Sequence, residues 1–169
     1  EARGLGDVYK RQNMVFAVAN NATTKDALST SLKSASSTEE KLEILTNLMD
    51  ISRQEEQVGY AKELYKKALA ANNDHYKEVA LTEILRFYVN NDIKDSTNVY
   101  MEKAKLELKG KARDFLVTYM QTIIDVRVVF YTEGEERKKL IEQYQLKLET
   151  DKKLTSLEKM SINYVLGMA

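Results

Sequence analysis

The sequence predicts an all-α protein, and three observations carry that prediction. The 169 residues include no proline and only six glycines, which favours helix over a turn-rich β fold. Apolar residues recur at spacings of three and four along most of the chain, the period of one helical face. Third, the helical pattern repeats itself at a shift of 36 residues, as in an array of helix pairs.

The elements follow in order. Thr24 to Ala35 carries Ala27, Leu28, Leu32 and Ala35 on one stripe, with Thr24 as a candidate N-cap. Ser36-Ser37-Thr38 breaks it, and Ser37 with Glu40 forms an S-x-x-E capping box. That box opens a helix whose apolar face is Leu42, Leu45, Leu48 and Met49, with Ser52 one turn on. Arg53 to Glu56 reads as a polar connection. Val58, Ala61, Leu64, Tyr65, Ala68 and Leu69 mark the next helix, which ends near Asn72-Asn73. Asp74 is placed to cap a helix containing Val79, Leu81, Ile84, Leu85, Phe87 and Tyr88, and Asn90-Asn91-Asp92 is a turn signal.

Lys94 to Lys109 is the next helix, with Val99, Tyr100, Met101, Ala104 and Leu108, and Gly110 breaks it. Ala112 to Tyr131 is the longest periodic stretch. Its β-branched residues (Ile123, Ile124, Val126, Val128, Val129) suit a strand by propensity alone. The helical period runs through them with no turn signal, so helix is expected. Glu135 to Leu148 is a charged amphipathic helix with Leu140, Ile141, Tyr144 and Leu148. After Thr150-Asp151, a last helix from Leu154 carries Leu157, Met160, Tyr164 and Leu166. Tyr65, Tyr88, Tyr119, Tyr144 and Tyr164 all fall on apolar stripes and are expected in the core.

Residues 1–22 stand apart from this pattern. Glu1 to Gln12 resembles translated linker or adaptor sequence and is read as foreign to the fold. Ala17-Val18-Ala19 matches the small-residue cleavage site of a secretory signal, preceded by a short apolar run. A signal remnant implies an extracytoplasmic protein; an ordinary apolar stub implies a cytoplasmic one. Residues 23–169 are expected to form one helical repeat domain, cut short within its last repeat. No stretch approaches the roughly 20 apolar residues of a membrane helix.

Composition excludes much chemistry. With no cysteine, there is no disulfide, thiolate nucleophile or Cys-based zinc site. The single histidine, His75, stands beside Asp74 at a helix start, with no second His or Cys for a metal. Twenty-six basic residues balance 26 acidic ones, which argues against a surface built on phosphate contacts. The pairs Glu39-Glu40, Glu55-Glu56 and Glu135-Glu136 sit where the helix dipole favours acids. No phosphate-loop, dinucleotide or nucleophile-elbow pattern is present. The expected reading is not an enzyme, with no cofactor and no metal.

Within the repeat, Leu45 falls on Leu81, Leu48 on Ile84, Met49 on Leu85, Leu64 on Tyr100 and Ala68 on Ala104. These helix pairs resemble tetratricopeptide repeats. Ala61-Tyr65-Ala68 matches the family's second-helix pattern, and Thr97-Met101-Ala104 matches it loosely. Leu81-Ile84-Leu85-Tyr88 and Leu157-Met160-Ser161-Tyr164 have the first-helix spacing; Leu45-Leu48-Met49-Ser52 lacks the aromatic. The repeat is longer than usual, carries no terminal proline, and its third pair fits poorly. The resemblance covers roughly residues 38–169. It implies a right-handed α-solenoid of stacked antiparallel helix hairpins that binds a protein or peptide in its concave groove, or pairs with another copy. The layout is similar to the extracytoplasmic repeat region of Bacteroidetes signalling receptors and regulators; a free-standing scaffold is the alternative. Groove-facing positions would be Thr46, Asp50 and Arg53 in the first pair, and Thr82, Arg86, Val89 and Asn90 in the second.

Overall fold

The computed structural model describes residues 24–169, and these are all-α: eight helices and no strand. The leader, with its linker-like start and the Ala17-Val18-Ala19 site, lies outside the described residues. The described residues divide into two compact units, residues 24–76 and 77–169.

In the first unit, α1 (residues 24–34) leads into α2 (Thr38–Ile51) and α3 (Gln54–Ala70). The Ser37 hydroxyl accepts from the Glu40 N–H at 3.1 Å, while the Glu40 carboxylate accepts from the Ser36 N–H at 3.2 Å. The box therefore closes one residue earlier than its consensus, which still satisfies two helix-start donors. Leu28 and Leu32 of α1 pack with Ala35, with Ile44 and Leu48 of α2, and with Tyr60 of α3. On α3, Ala61 and Ala68 are fully buried beside Leu64, because side chains this small let a neighbouring backbone come close. Lys25 and Glu56 pair at 2.5 Å between α1 and α3; an exposed pair of this kind adds little stability.

In the second unit, α4 (Asp74–Asn90, from Lys77 onward), α5 (Lys94–Glu107), α6 (Gly110–Tyr131), α7 (Gly134–Thr150) and α8 (Ser156–Met168) follow. Tyr88 of α4 stacks on Tyr100 of α5 with ring centres 5.5 Å apart, and the Lys103 ammonium sits 4.7 Å from the Tyr100 ring centre. The long helix α6 packs against α5, α7 and α8. Thr122 of α6 and Ser161 of α8 share a hydroxyl hydrogen bond at 2.5 Å, and one turn earlier Thr118 and Leu157 line a common cleft. Both contacts advance together, so α6 and α8 run parallel. Arg137, in the first turn of α7, donates to the Ala169 carbonyl, so α7 runs antiparallel to α8.

Five of the seven connections between the described helices come in two kinds. Three share one backbone: an extended residue, a second extended residue, then a first helical residue at positive φ. They are Ser52-Arg53-Gln54, Leu108-Lys109-Gly110 and Thr132-Glu133-Gly134, with φ of 52°, 56° and 61° at the third residue. Two more, after α3 and α4, end in an αL residue with a six-to-one backbone bond. Asn73 N–H donates to Ala68 and Ile93 N–H to Tyr88, with Asn72 and Asp92 at positive φ. This is the Schellman closure, made without its usual glycine.

Several expectations need correcting. The polar connection placed at Arg53 to Glu56 shrinks to Ser52-Arg53, and Glu55-Glu56 already belong to α3. The side chain of Asn73, rather than Asp74, caps α4, accepting from the Tyr76 N–H at 3.3 Å. Gly110 starts α6 rather than merely ending α5. Of the five tyrosines expected in the core, Tyr65 and Tyr88 are buried and Tyr144 is half-buried, while Tyr119 and Tyr164 are exposed. Leu69, Val99, Phe115, Val128 and Met160 are exposed as well.

Candidate functional site

In the second unit, the carboxyl end of α4, the first turn of α5 and the second half of α6 enclose an open cleft of about 740 Å³. The αL residue Asp92 turns the chain sharply, so Asn90 and Asn91 face the start of α5, where Lys94, Thr97 and Asn98 stand. The α6 wall is Ile124, Arg127, Val128 and Tyr131, with Thr132 at its end.

Arg127 organises the site. Its guanidinium donates to the Val89 carbonyl, to the Asn90 carbonyl at 3.3 Å and, more weakly, to Asn90 Oδ1 at 3.5 Å. The two carbonyls are terminal acceptors of α4, which helix geometry leaves without intrahelical donors and with partial negative charge. A cation from α6 therefore closes the end of α4 and fixes one wall of the cleft against the other. Asn91 Nδ2 donates to the Phe87 carbonyl at 2.8 Å, and Thr97 is buried. Around them the cleft offers amides (Asn90, Asn98), the Lys94 ammonium and apolar surface from Ile124, Val128 and the exposed Tyr131 ring.

Amides that both donate and accept, next to aliphatic and aromatic surface, match the chemistry of a peptide main chain with an apolar side chain. The lining holds a single carboxylate, Asp92, where paired acid/base work needs two. Among the described residues no group of three or more His, Cys, Asp or Glu is placed to hold a metal ion. No helix among them is long and apolar enough to cross a membrane.

The sequence-derived groove positions fall as follows. Val89 and Asn90 line this cleft, Val89 through its backbone, since its side chain is buried. Thr82 and Arg86 lie earlier on α4. The Thr82 hydroxyl donates back to the Glu78 carbonyl at 2.8 Å, and Arg86 pairs with Glu83 at 3.0 Å. In the first unit, Thr46 donates to the Leu42 carbonyl at 2.9 Å, Asp50 is exposed on α2, and Arg53 is the extended N-cap of α3. His75 is exposed and meets Tyr76 edge-on at 5.2 Å. Sequence reasoning missed Arg127, Asn98 and Tyr131. Nothing local marks Arg127, because its partners lie 37 and 38 residues away.

A second polar feature joins α6 to α7. The half-buried Asp125 carboxylate accepts from Gln121 Nε2 at 2.8 Å and bonds the Tyr144 hydroxyl. Burial raises the Asp125 pKa above the usual carboxylate value, against the opposing pull of Gln121, Tyr144 and Lys147. Burial, then the Asp125 charge and hydrogen bond, push Tyr144 up to about 12. At the start of α8, Thr155 and Glu158 form a reciprocal capping box, and its hydrogen bonds from Thr155 hold the Glu158 carboxyl below its usual value.

No protein family, curated protein or solved structure matches the chain.

Proposed function

We propose that the chain is a protein-docking module of tetratricopeptide-like helix pairs, forming the sensor or scaffold portion of a larger bacterial signalling or transcription-regulatory protein outside the cytoplasm. The observation that carries the docking reading is the open cleft at Asn90, Asn98, Arg127, Val128 and Tyr131. Its amides suit an extended peptide backbone, and Val128 and Tyr131 suit an apolar side chain of that peptide. The parallel course of α6 and α8, with α7 antiparallel to α8, supports stacked hairpins of the solenoid kind.

The test is selection of a phage-displayed random peptide library on the immobilised protein, followed by titration of the enriched peptides. Val128→Arg combined with Asn98→Ala should weaken their binding by about tenfold or more, the loss of roughly 1.4 kcal/mol. Peptides that bind this variant as tightly as the parent protein would move docking away from the cleft. Arg53→Ala with Arg86→Ala, titrated with the same peptides, shows whether the sequence-derived groove positions take part. The receptor context is tested by the complete reading frame, which should encode a membrane helix and an output module.

A further inference from the structure

The start of α5 brings to the cleft hydrogen-bond donors that no described side chain uses. Helix geometry leaves the first N–H groups of α5 without intrahelical acceptors, and its N-cap, Ile93, makes no side-chain cap. Thr97, in the same part of α5, gives a second and independent sign. The hydroxyls of Thr46, Thr82, Thr122 and Thr150 each donate back to the carbonyl four residues earlier. The Thr97 hydroxyl makes no such bond and has no partner among the described residues, although Thr97 is only 6% exposed and lines the cleft. Buried polar groups are nearly always paired, so an orphan on a cleft wall marks the place of a ligand atom. The charge there is positive. Lys94 and Arg127 stand in the lining against one carboxylate, Asp92, and the dipole of α5 adds its positive end. Asp95 also belongs to the first turn, but it is exposed and outside the lining. The ligand atom that suits this place is an anionic acceptor.

We propose that this end of the cleft reads an acidic side chain of the docked peptide. Its carboxylate accepts from the Thr97 hydroxyl and from the free N–H groups of the first turn, with the Lys94 ammonium as counter-ion. Such charge-assisted bonds are stronger than neutral ones. The inference rests on the docking reading of the cleft and adds its specificity. Successive side chains of an extended strand point to opposite sides. An apolar residue laid on Ile124, Val128 and Tyr131 of α6 thus turns its neighbour toward α5. The recognised unit is an apolar residue next to Glu or Asp. It lies inside the peptide rather than at its end, because Asn90 and Asn98 are amides suited to the peptide groups that flank it.

Amide-resolved NMR titration of the whole chain tests it with two end-blocked peptides, acetyl-Ala-Leu-Glu-Ala-amide and the same peptide with Gln for Glu. The Glu peptide should bind about fivefold tighter or more. It should also move the amide signals of Asp95, Ser96 and Thr97 further than the Gln peptide does. Thr97→Val, which keeps the side-chain shape, should remove most of that preference, and Thr97→Ser, which keeps the hydroxyl, should retain it. Lys94→Gln, at an exposed position, should lower the preference without disturbing the fold. Equal binding of the two peptides, with shifts at Val128 and Tyr131, overturns this inference and leaves the docking reading standing. A Glu preference that survives both Thr97→Val and Lys94→Gln overturns it too, because the charge then acts elsewhere. No shift at any cleft residue with either peptide overturns the docking reading and this inference together.

Discussion

The hairpins α2–α3 and α6–α7 turn on the same two-residue backbone and have unlike interiors. In the first, five of 14 residues of α2 and five of 17 of α3 are buried. In the second, three of 22 residues of α6 are buried and none of the 17 in α7. The first hairpin spends its apolar residues inside, around Leu42, Leu45, Leu48 and Leu64. The second leaves Phe115, Tyr119, Val128, Tyr131 and Leu146 exposed. A helix pair of the same local geometry can thus serve mainly as core or mainly as surface, and the difference lies in what else packs on it.

Core truncation should separate the two most sharply. Leu48→Ala removes a fully buried side chain and should cost about 3 kcal/mol in urea denaturation, as large-to-small core changes do. Leu146→Ala, on the exposed side of α7, should cost less than about 0.5 kcal/mol. Similar losses at both sites would erase the contrast.

The shared turn gives a smaller, opposite pair of effects. Gln54 takes a positive φ that glycine takes at Gly110 and Gly134. Gln54→Gly should therefore gain about 0.5–1 kcal/mol, and Gly134→Ala should lose about as much, because a Cβ is strained in that region. Thermal midpoints moving in opposite directions would bear this out; a loss at both would show that the Gln54 side chain contributes more than its backbone conformation costs.

The smallest effect tests the α6–α7 seam. Burial raises the Asp125 pKa, so folding penalises its charged form. That penalty is fully present above the folded-state pKa and is relieved as pH falls through it toward the unfolded value. Asp125→Asn should stabilise the protein slightly at pH 7. The gain should shrink in acid. A variant less stable than the parent at pH 7 would show that the Tyr144 and Gln121 hydrogen bonds to the carboxylate outweigh its desolvation.

Much of this was legible from residue spacing. Each of the helices α1 to α8 lies where the three-and-four periodicity puts it, and the β-branched run at Ile123 to Val129 is helical. The leucines of α2 are buried, as are Ala61 and Ala68 of α3. What spacing does not carry is which apolar stripe has a neighbour. Tyr88 and Tyr164 both fall on apolar stripes of their helices, yet Tyr88 stacks on Tyr100 and Tyr164 faces outward. The cleft was half visible: Asn90 and Val89 lie in it, but Arg127 reaches it from α6 by tertiary packing alone. Thr155-x-x-Glu158 fits the same capping-box rule as Ser37 and Glu40, and both boxes form.

Ser52 shows how a repeat register becomes a local defect. It stands where Tyr88 stands one repeat later, and both are buried. Where Tyr88 fills its place with a ring, Ser52 brings a hydroxyl with no hydrogen-bond partner. A polar group without a partner in the interior costs about 1–3 kcal/mol. The α2–α3 hairpin thus carries a weak point at its own hinge. Its reserve of stability can be raised there by removing one oxygen, with the turn left as it is.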